Sequence, residues 1–198
     1  KVALIQDRPV LGGNASSEIR MWICGAHGEN NRETGLVEEM QLENNFRNPY
    51  LNFSIWDSVL FQFAWAEENL QLFMNASVND AVIEDEKIKS VKAWQTTSQI
   101  WHIIEADFFA DCSGDSVLAP LCGAEFRVGR EARAEFNEDI QPETADNYTM
   151  GMSCLVQARE TDSEKKFIPP PWAKHFPDEE SIKHRVTHFR PADNFWWL

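Results

Sequence analysis

The sequence predicts a mixed α/β fold in which a small antiparallel sheet follows a strand and two helices. An apolar run from Val2 to Ile5 ends in a polar, glycine-containing turn, as a buried strand does. Near Leu70 the spacing of the apolar residues changes from helical to alternating. This change is typical of helices that are followed by hairpin-connected strands.

Two helices are predicted after the opening strand. The first covers about residues 34–46, because its apolar residues recur on one face and glutamates lie on another, and Asn48-Pro49 ends it. The second covers about residues 55–70. Ser54 is its candidate N-cap, and Asp57 is placed in its first turn, where a carboxylate interacts favourably with the helix dipole.

Alternating runs at residues 72–74, 81–83, 88–94 and 101–111 predict short strands. An acidic turn and a polar turn separate the later runs as hairpin loops. The runs together predict an antiparallel meander at about residues 70–110, whose last arm returns to a core strand. A turn at residues 111–115 and a short helix near residues 117–122 follow.

Composition limits the classes of partner. The 198 residues include 43% apolar side chains, which is enough for a packed core, and the formal net charge is -14. Nucleic acid and anionic membrane are therefore not expected as partners, since both demand a basic surface. A phosphate-bearing cofactor is still compatible, because local backbone N–H groups and helix dipoles bind it.

The cysteines and histidines predict no metal site. Four cysteines, Cys24, Cys112, Cys122 and Cys154, lack CxxC or Cys/His ligand spacing and are interpreted as reduced thiols. His184 and His188 are four residues apart but have no apparent third ligand.

Four features in order along the chain carry a resemblance to a known family. The order of the opening strand, the turn DRPVLGGNASSEIR at residues 7–20, the meander and the turn Asp111-Cys112-Ser113-Gly114-Asp115 resembles the FAD-dependent oxidoreductases. Within these it resembles the glutathione-reductase-like flavoproteins of the two-dinucleotide-binding superfamily, and most closely a bacterial branch. The resemblance covers about residues 1–130.

The resemblance implies a partial Rossmann-like FAD-binding domain over residues 1–130, with a parallel sheet that the meander interrupts. It places a first strand and its glycine-rich phosphate loop before Lys1. Residues 131–198 are then expected to begin a substrate or cap domain that is truncated. The chain is accordingly expected to be a fragment.

The resemblance also implies FAD contacts at the end of the opening strand. A carboxylate there accepts hydrogen bonds from the ribose hydroxyls of the adenosine half. The family usually has Glu where this chain has Gln6, so the contact is open between Gln6 and Asp7, with Asp7 favoured. Arg8 is expected to lie over the adenine or to pair with a phosphate, and the alternative is a solvated arginine.

Residues of the following turn are expected to contact the cofactor as well. Gly12 and Gly13 permit positive φ and a close approach of backbone to ligand. Asn14, Ser16 and Ser17 are able to donate hydrogen bonds to the pyrophosphate or the flavin ring. An ordinary turn is the alternative interpretation.

Two later segments complete the expected FAD site. Val78 lies where the family's first meander strand reads the adenine through its backbone, although it is equally compatible with a plain core valine. In the turn Ser113-Gly114-Asp115, Gly114 allows close approach, and Asp115 is expected to accept a bond from a ribityl hydroxyl or to cap the next helix.

Catalytic residues are not identified, because flavin chemistry lies mostly in the cofactor. Arg20, Cys24 and His27 are candidates, since the family topology brings their segment towards the isoalloxazine ring. For Cys24 the alternative is a buried side chain that acts as a small hydrophobe.

The resulting prediction is an FAD-dependent oxidoreductase acting on a small-molecule substrate, with weak or no FAD binding by residues 1–198 alone. One alternative is a noncatalytic module that binds carbohydrate or protein through Trp94, Trp101 and Trp172. Another is an NAD-binding Rossmann domain. The oligomeric state and the compartment are left open, with the cytoplasm preferred.

Overall fold

The computed structural model describes residues 1–21, 23–26, 28–150, 155–157, 161–163, 165–166, 168–178, 180–182 and 195–197. The chain divides into two units, Lys1–Arg127 and Val128–Leu198. The first unit holds a parallel pair of strands, helices and a separate three-stranded antiparallel sheet. The predicted mixed α/β fold class is therefore confirmed.

The opening strand belongs to a parallel pair. β1 (Val2–Gln6) runs beside β2 (Leu70–Met74), with Val2 opposite Leu70 and Gln6 opposite Met74. The prediction that residues 72–74 belong to the antiparallel meander was wrong. Parallel neighbours need a long crossover, and the two helices between β1 and β2 supply it.

The first helix, α1 (Gly35–Arg47), matches the predicted position within one residue at each end. It packs against the second helix but buries no residue completely. Leu36 and Phe46, which the sequence places on its apolar face, are exposed. The spacing of apolar residues therefore identified the helix but not the degree of its burial.

The second helix, α2 (Phe53–Trp65), differs from its prediction in three respects. Asn52, not Ser54, is the N-cap, and its side chain accepts a bond from the Ser54 N–H. Asp57 lies beyond the first turn and is buried. The helix ends at Trp65 because residue 70 already begins the strand that pairs with β1.

Three strands form the meander in the order β3 (Ala76–Glu84), β4 (Lys87–Gln95) and β5 (Ile100–Glu105). Its buried residues include Ala76, Val91 and Ala93. The predicted last arm, residues 101–111, was too long, since residues 106–111 pair with no described strand. A short helix, α3 (Leu118–Cys122), follows at the predicted place and packs against β3.

The second unit contains little regular structure in its described part. It includes α4 (Arg133–Phe136), an isolated bridge between Arg130 and Asp146, and a short antiparallel pair of β6 (Leu155–Gln157) and β7 (Phe195–Trp197). Its assignment to a substrate or cap domain stays a prediction. No helix among the described residues is both long and apolar enough to span a bilayer.

Candidate functional site

The turn after β1 is built around Ser16. Residues Gly13–Ala15 form one turn of 3-10 helix, in which the Ser16 N–H donates to the Gly13 carbonyl over 3.1 Å. The Ser16 hydroxyl donates to the same carbonyl over 2.7 Å and is completely buried. The proton of this hydroxyl is therefore used within the turn. The hydrogen bond from Ser16 to FAD stays a prediction.

The two glycines of this turn have different surroundings. Gly12 has a φ of 106°, and a Cβ there would lie only 2.6 Å from Cδ1 of Leu60 on α2. Gly13 has a φ of 53°, but a Cβ there would meet no protein atom within 4 Å. Close packing against α2 therefore accounts for Gly12, whereas the backbone at Gly13 is open to a ligand.

Helix α2 holds the turn through two side chains that the sequence interpretation missed. The Ser17 N–H donates to Oδ1 of Asp57 over 2.8 Å. The indole Nε1 of Trp56 donates to the Ala15 carbonyl over 3.0 Å. The available signal was that Asp57 is the one charged residue of the mostly apolar α2, and a first-turn dipole role was assigned to it instead.

Three residues at the end of β1, Gln6, Asp7 and Arg8, differ in their exposure and in the groups that they contact. The Gln6 side-chain amide donates to the Val10 carbonyl over 3.1 Å, so it stabilises the turn. Asp7 is exposed. Arg8 forms an ion pair of 3.1 Å with Glu18, and its carbonyl accepts a bond from the Asn75 N–H just before β3.

Two of the three catalytic candidates, Arg20 and Cys24, lie among the described residues. Arg20 adopts a φ of 64°, and its Nε donates to the Ser17 carbonyl over 3.1 Å. Cys24 is an exposed free thiol, which does not fit a buried apolar role. His27 lies outside the described residues, so its role stays a prediction.

The turn at residues 111–115, which we call the return turn, is organised by a carboxylate. Oδ1 of Asp111 accepts from the N–H and the hydroxyl of Ser113, over 2.9 and 2.6 Å. Its Oδ2 accepts from the Leu118 N–H over 2.7 Å. Asp111, not Asp115, therefore accepts the bond from the first residue of α3, and Asp115 is left exposed.

Gly114 gives this turn an open backbone. Its φ is 80°, and a Cβ there would meet nothing within 4 Å. The Ser113 hydroxyl accepts bonds from the N–H groups of Asp115 and Val117, each over 3.2 Å, and so fixes the path around Gly114. Like Gly13, Gly114 leaves room for a ligand beside the main chain.

Both turns adjoin β3, the strand that carries Val78. The first does so through the bond from Asn75 to the Arg8 carbonyl, and the second through the packing of α3 on β3. Val78 itself pairs with Ala93 of β4 and is half-buried. β3 is thus linked to Arg8 of the first turn and to the helix that follows the second turn.

A comparison with protein families decides the relationship. The family model described as FAD dependent oxidoreductase matches residues 1–195. The chain belongs to the FAD dependent oxidoreductase family. No significant match to a curated protein or to a solved structure accompanies this result.

Membership of the FAD dependent oxidoreductase family supports a flavin redox function. The structure also bears on the tryptophan-platform alternative. Trp94 and Trp101 lie opposite each other with ring centroids 5.1 Å apart, and Lys92 lies over the Trp101 ring. Trp172 belongs to the other unit, so the three tryptophans do not form a platform within one unit.

No metal site emerges in the part of the chain that the structure describes. Among those residues, no group of three or more histidine, cysteine, aspartate or glutamate side chains is placed to hold an ion. His184 and His188 lie outside them.

The return turn is expected to loosen in acid. Bonds from the Ser113 hydroxyl, the Leu118 N–H and the Ser113 N–H hold the pKa of Asp111 below its ordinary value of 3.8. The stabilisation is therefore complete above that value and is lost as the pH falls through the lowered pKa. Amide exchange at Leu118 reports the loss.

Asp111→Asn is the matched variant. Its side-chain oxygen replaces Oδ1 towards Ser113, but its NH2 group cannot accept the Leu118 bond made by Oδ2. In this variant the Leu118 amide is expected to be weakly protected at every pH, relative to the intrinsic exchange rate at that pH. Equal acid sensitivity in both proteins would show that another group controls the turn.

Proposed function

We propose that this chain forms part of the FAD-binding domain of an oxidoreductase of the glutathione-reductase-like type, whose full-length form oxidises or reduces a small molecule. The observation that carries the proposal is the pair of turns with open backbone at Gly13 and Gly114. Each has a left-handed glycine, and β3 is linked both to Arg8 of the first turn and to α3, the helix that follows the second turn. Close approach of a dinucleotide to a main chain needs such positions.

The described residues fit the polar parts of FAD. Asp7 is an exposed carboxylate just after β1, whereas the Gln6 amide is used within the turn. This arrangement favours Asp7 as the acceptor for the ribose hydroxyls. Asn14 is exposed beside Gly13 and has amide donors suited to a phosphate oxygen.

The second turn suits the flavin half. Asp115 is exposed and is not needed to begin α3, so its carboxylate is available for a ribityl hydroxyl. Val78 is the third residue of β3, and Asn75, just before that strand, bonds to Arg8 of the first turn, which supports a contact of the Val78 backbone with the adenine. Arg8 is held by Glu18 and would leave that ion pair in order to bind a phosphate.

FAD, when bound, supplies the redox chemistry, and the chain supplies binding and orientation. Arg20 is a candidate for contact with flavin or substrate, since its side chain is tied to the turn at Ser17. Cys24 and His27 are further candidates in the same segment.

The test is the visible spectrum and the FAD affinity of the full-length protein. We expect a coloured protein that binds one FAD. Added NAD should not displace this FAD. A correctly folded, colourless full-length protein that gains no colour with added FAD would overturn the proposal.

A further inference from the structure

Helix α2 contacts the glycine-containing turn at three positions on one face. Trp56 donates to the Ala15 carbonyl, and Asp57 accepts from the Ser17 N–H. Leu60 fills the space that a side chain at Gly12 would occupy. Since residues three and four apart share a helix face, one side of α2 forms a support for residues 12–17.

Asp57 is an unusual residue for this place. It is only 9% exposed and lies beside Trp56 and Val59, the other buried residues of α2. Burying a carboxylate is unfavourable unless it is hydrogen-bonded. Its bond to Ser17 is charge-assisted and hence stronger than a bond to a neutral acceptor.

The bond from Ser17 acts on the part of the turn that would face a ligand. With Ser17 and Ala15 both tied to α2, the intervening Ser16 is buried and its hydroxyl closes on Gly13. The conformation of Gly13, whose backbone is open, is thus set from α2. A turn ordered in advance loses less freedom when it binds a ligand.

We propose that Asp57 and Trp56 are positioning residues that hold residues 12–17 in the conformation that receives FAD. The inference rests on the proposed function. Without these bonds the receptive conformation would be populated only part of the time, and the apparent affinity would fall by that fraction.

The experiment compares three variants of the full-length protein. Asp57→Ala removes the acceptor, whereas Asp57→Asn keeps an oxygen that accepts from Ser17. The control is Asn48→Ala. Asn48 is 2% exposed and bonds to Asn44 and Asn52 between the two helices, so its loss destabilises α2 without touching the turn.

FAD affinity, thermal midpoint and exchange of the Ser17 amide in the FAD-free protein are measured. For Asp57→Ala we expect about a tenfold higher dissociation constant, equivalent to about 1.4 kcal/mol, together with faster Ser17 exchange. In Asp57→Asn the FAD affinity and the slow exchange of the Ser17 amide should both be mostly restored. Asn48→Ala should lower the midpoint while its dissociation constant stays within about twofold of wild type.

Each outcome bears on one claim. Suppose that wild type binds FAD, and that Asp57→Ala and Asn48→Ala lose equal stability and equal FAD affinity. The positioning role is then wrong, and the proposed function stands. If wild type binds no FAD, both fail. Should Asp57→Ala not fold, Trp56→Phe decides, because it removes the indole donor and keeps a ring; unchanged affinity and unchanged exchange would overturn the inference.

Discussion

Replacing Gly13 with asparagine is expected to weaken FAD binding by the full-length protein at least about tenfold, or about 1.4 kcal/mol. Asparagine tolerates the left-handed conformation better than most residues, so the φ of 53° is kept at modest cost. Its side chain would enter the open space beside the turn, where the cofactor is proposed to approach. Titration with FAD, followed by flavin fluorescence, measures the effect.

Gly35 offers a matched control for this substitution. It has a φ of 66°, and a Cβ there would also meet nothing within 4 Å. It begins α1 and is not part of either turn. Gly35→Asn therefore imposes the same change in conformation and volume and should leave FAD affinity unaltered. Equal losses in the two variants would mean that the Gly13 space is not a ligand site.

Replacing Gly129 with alanine is expected to cost the second unit at least about 2 kcal/mol of stability. The φ of 101° is unfavourable for alanine, and its Cβ would overlap the backbone carbonyl oxygen of Asp146. That carbonyl accepts the Arg130 N–H over 2.9 Å, so the bridge between residues 130 and 146 must move. Thermal unfolding of the full-length protein measures the loss.

A pH titration of Asp146 tests whether the loss of stability in Gly129→Ala arises at the bridge between residues 130 and 146. The Arg130 guanidinium donates to both carboxylate oxygens of Asp146 and holds the pKa of that carboxyl below its ordinary value of 3.8. In Gly129→Ala the pKa of Asp146 should rise towards that value. Gly123→Ala, in the first unit, is the control for the left-handed conformation alone, since Gly123 has a φ of 71° but an open Cβ position. A similar loss of stability in both variants would assign the effect to strain alone.

The elements that could be predicted from sequence are those with a strong local pattern. β1, α1, the hairpins of the meander and α3 all carry apolar spacing or turn residues that need no knowledge of distant contacts. The prediction failed at residues 70–74, because a short apolar run has the same residue pattern whether its strand joins a parallel pair or a hairpin. Pairing with β1 is a non-local contact, and it also ended α2 earlier than its sequence suggested.

The candidate site divides in the same way. Gly13, Gly114, Asp7 and Asp115 could be proposed from the resemblance to the FAD-dependent oxidoreductases, together with their residue types. Their supports could not. Asp111 acts on Leu118 from seven residues away, and Asp57 acts on Ser17 from forty residues away.

Local conformational preference and apolar periodicity were enough to predict the α/β class and the positions of the two glycine turns. The side chains that hold those turns are known only from the folded structure. A buried carboxylate such as Asp57 needs a donor, and the sequence predicted neither the burial of Asp57 nor its partner. Folding α2 against the turn supplies the Ser17 N–H and thereby assigns Asp57 its partner.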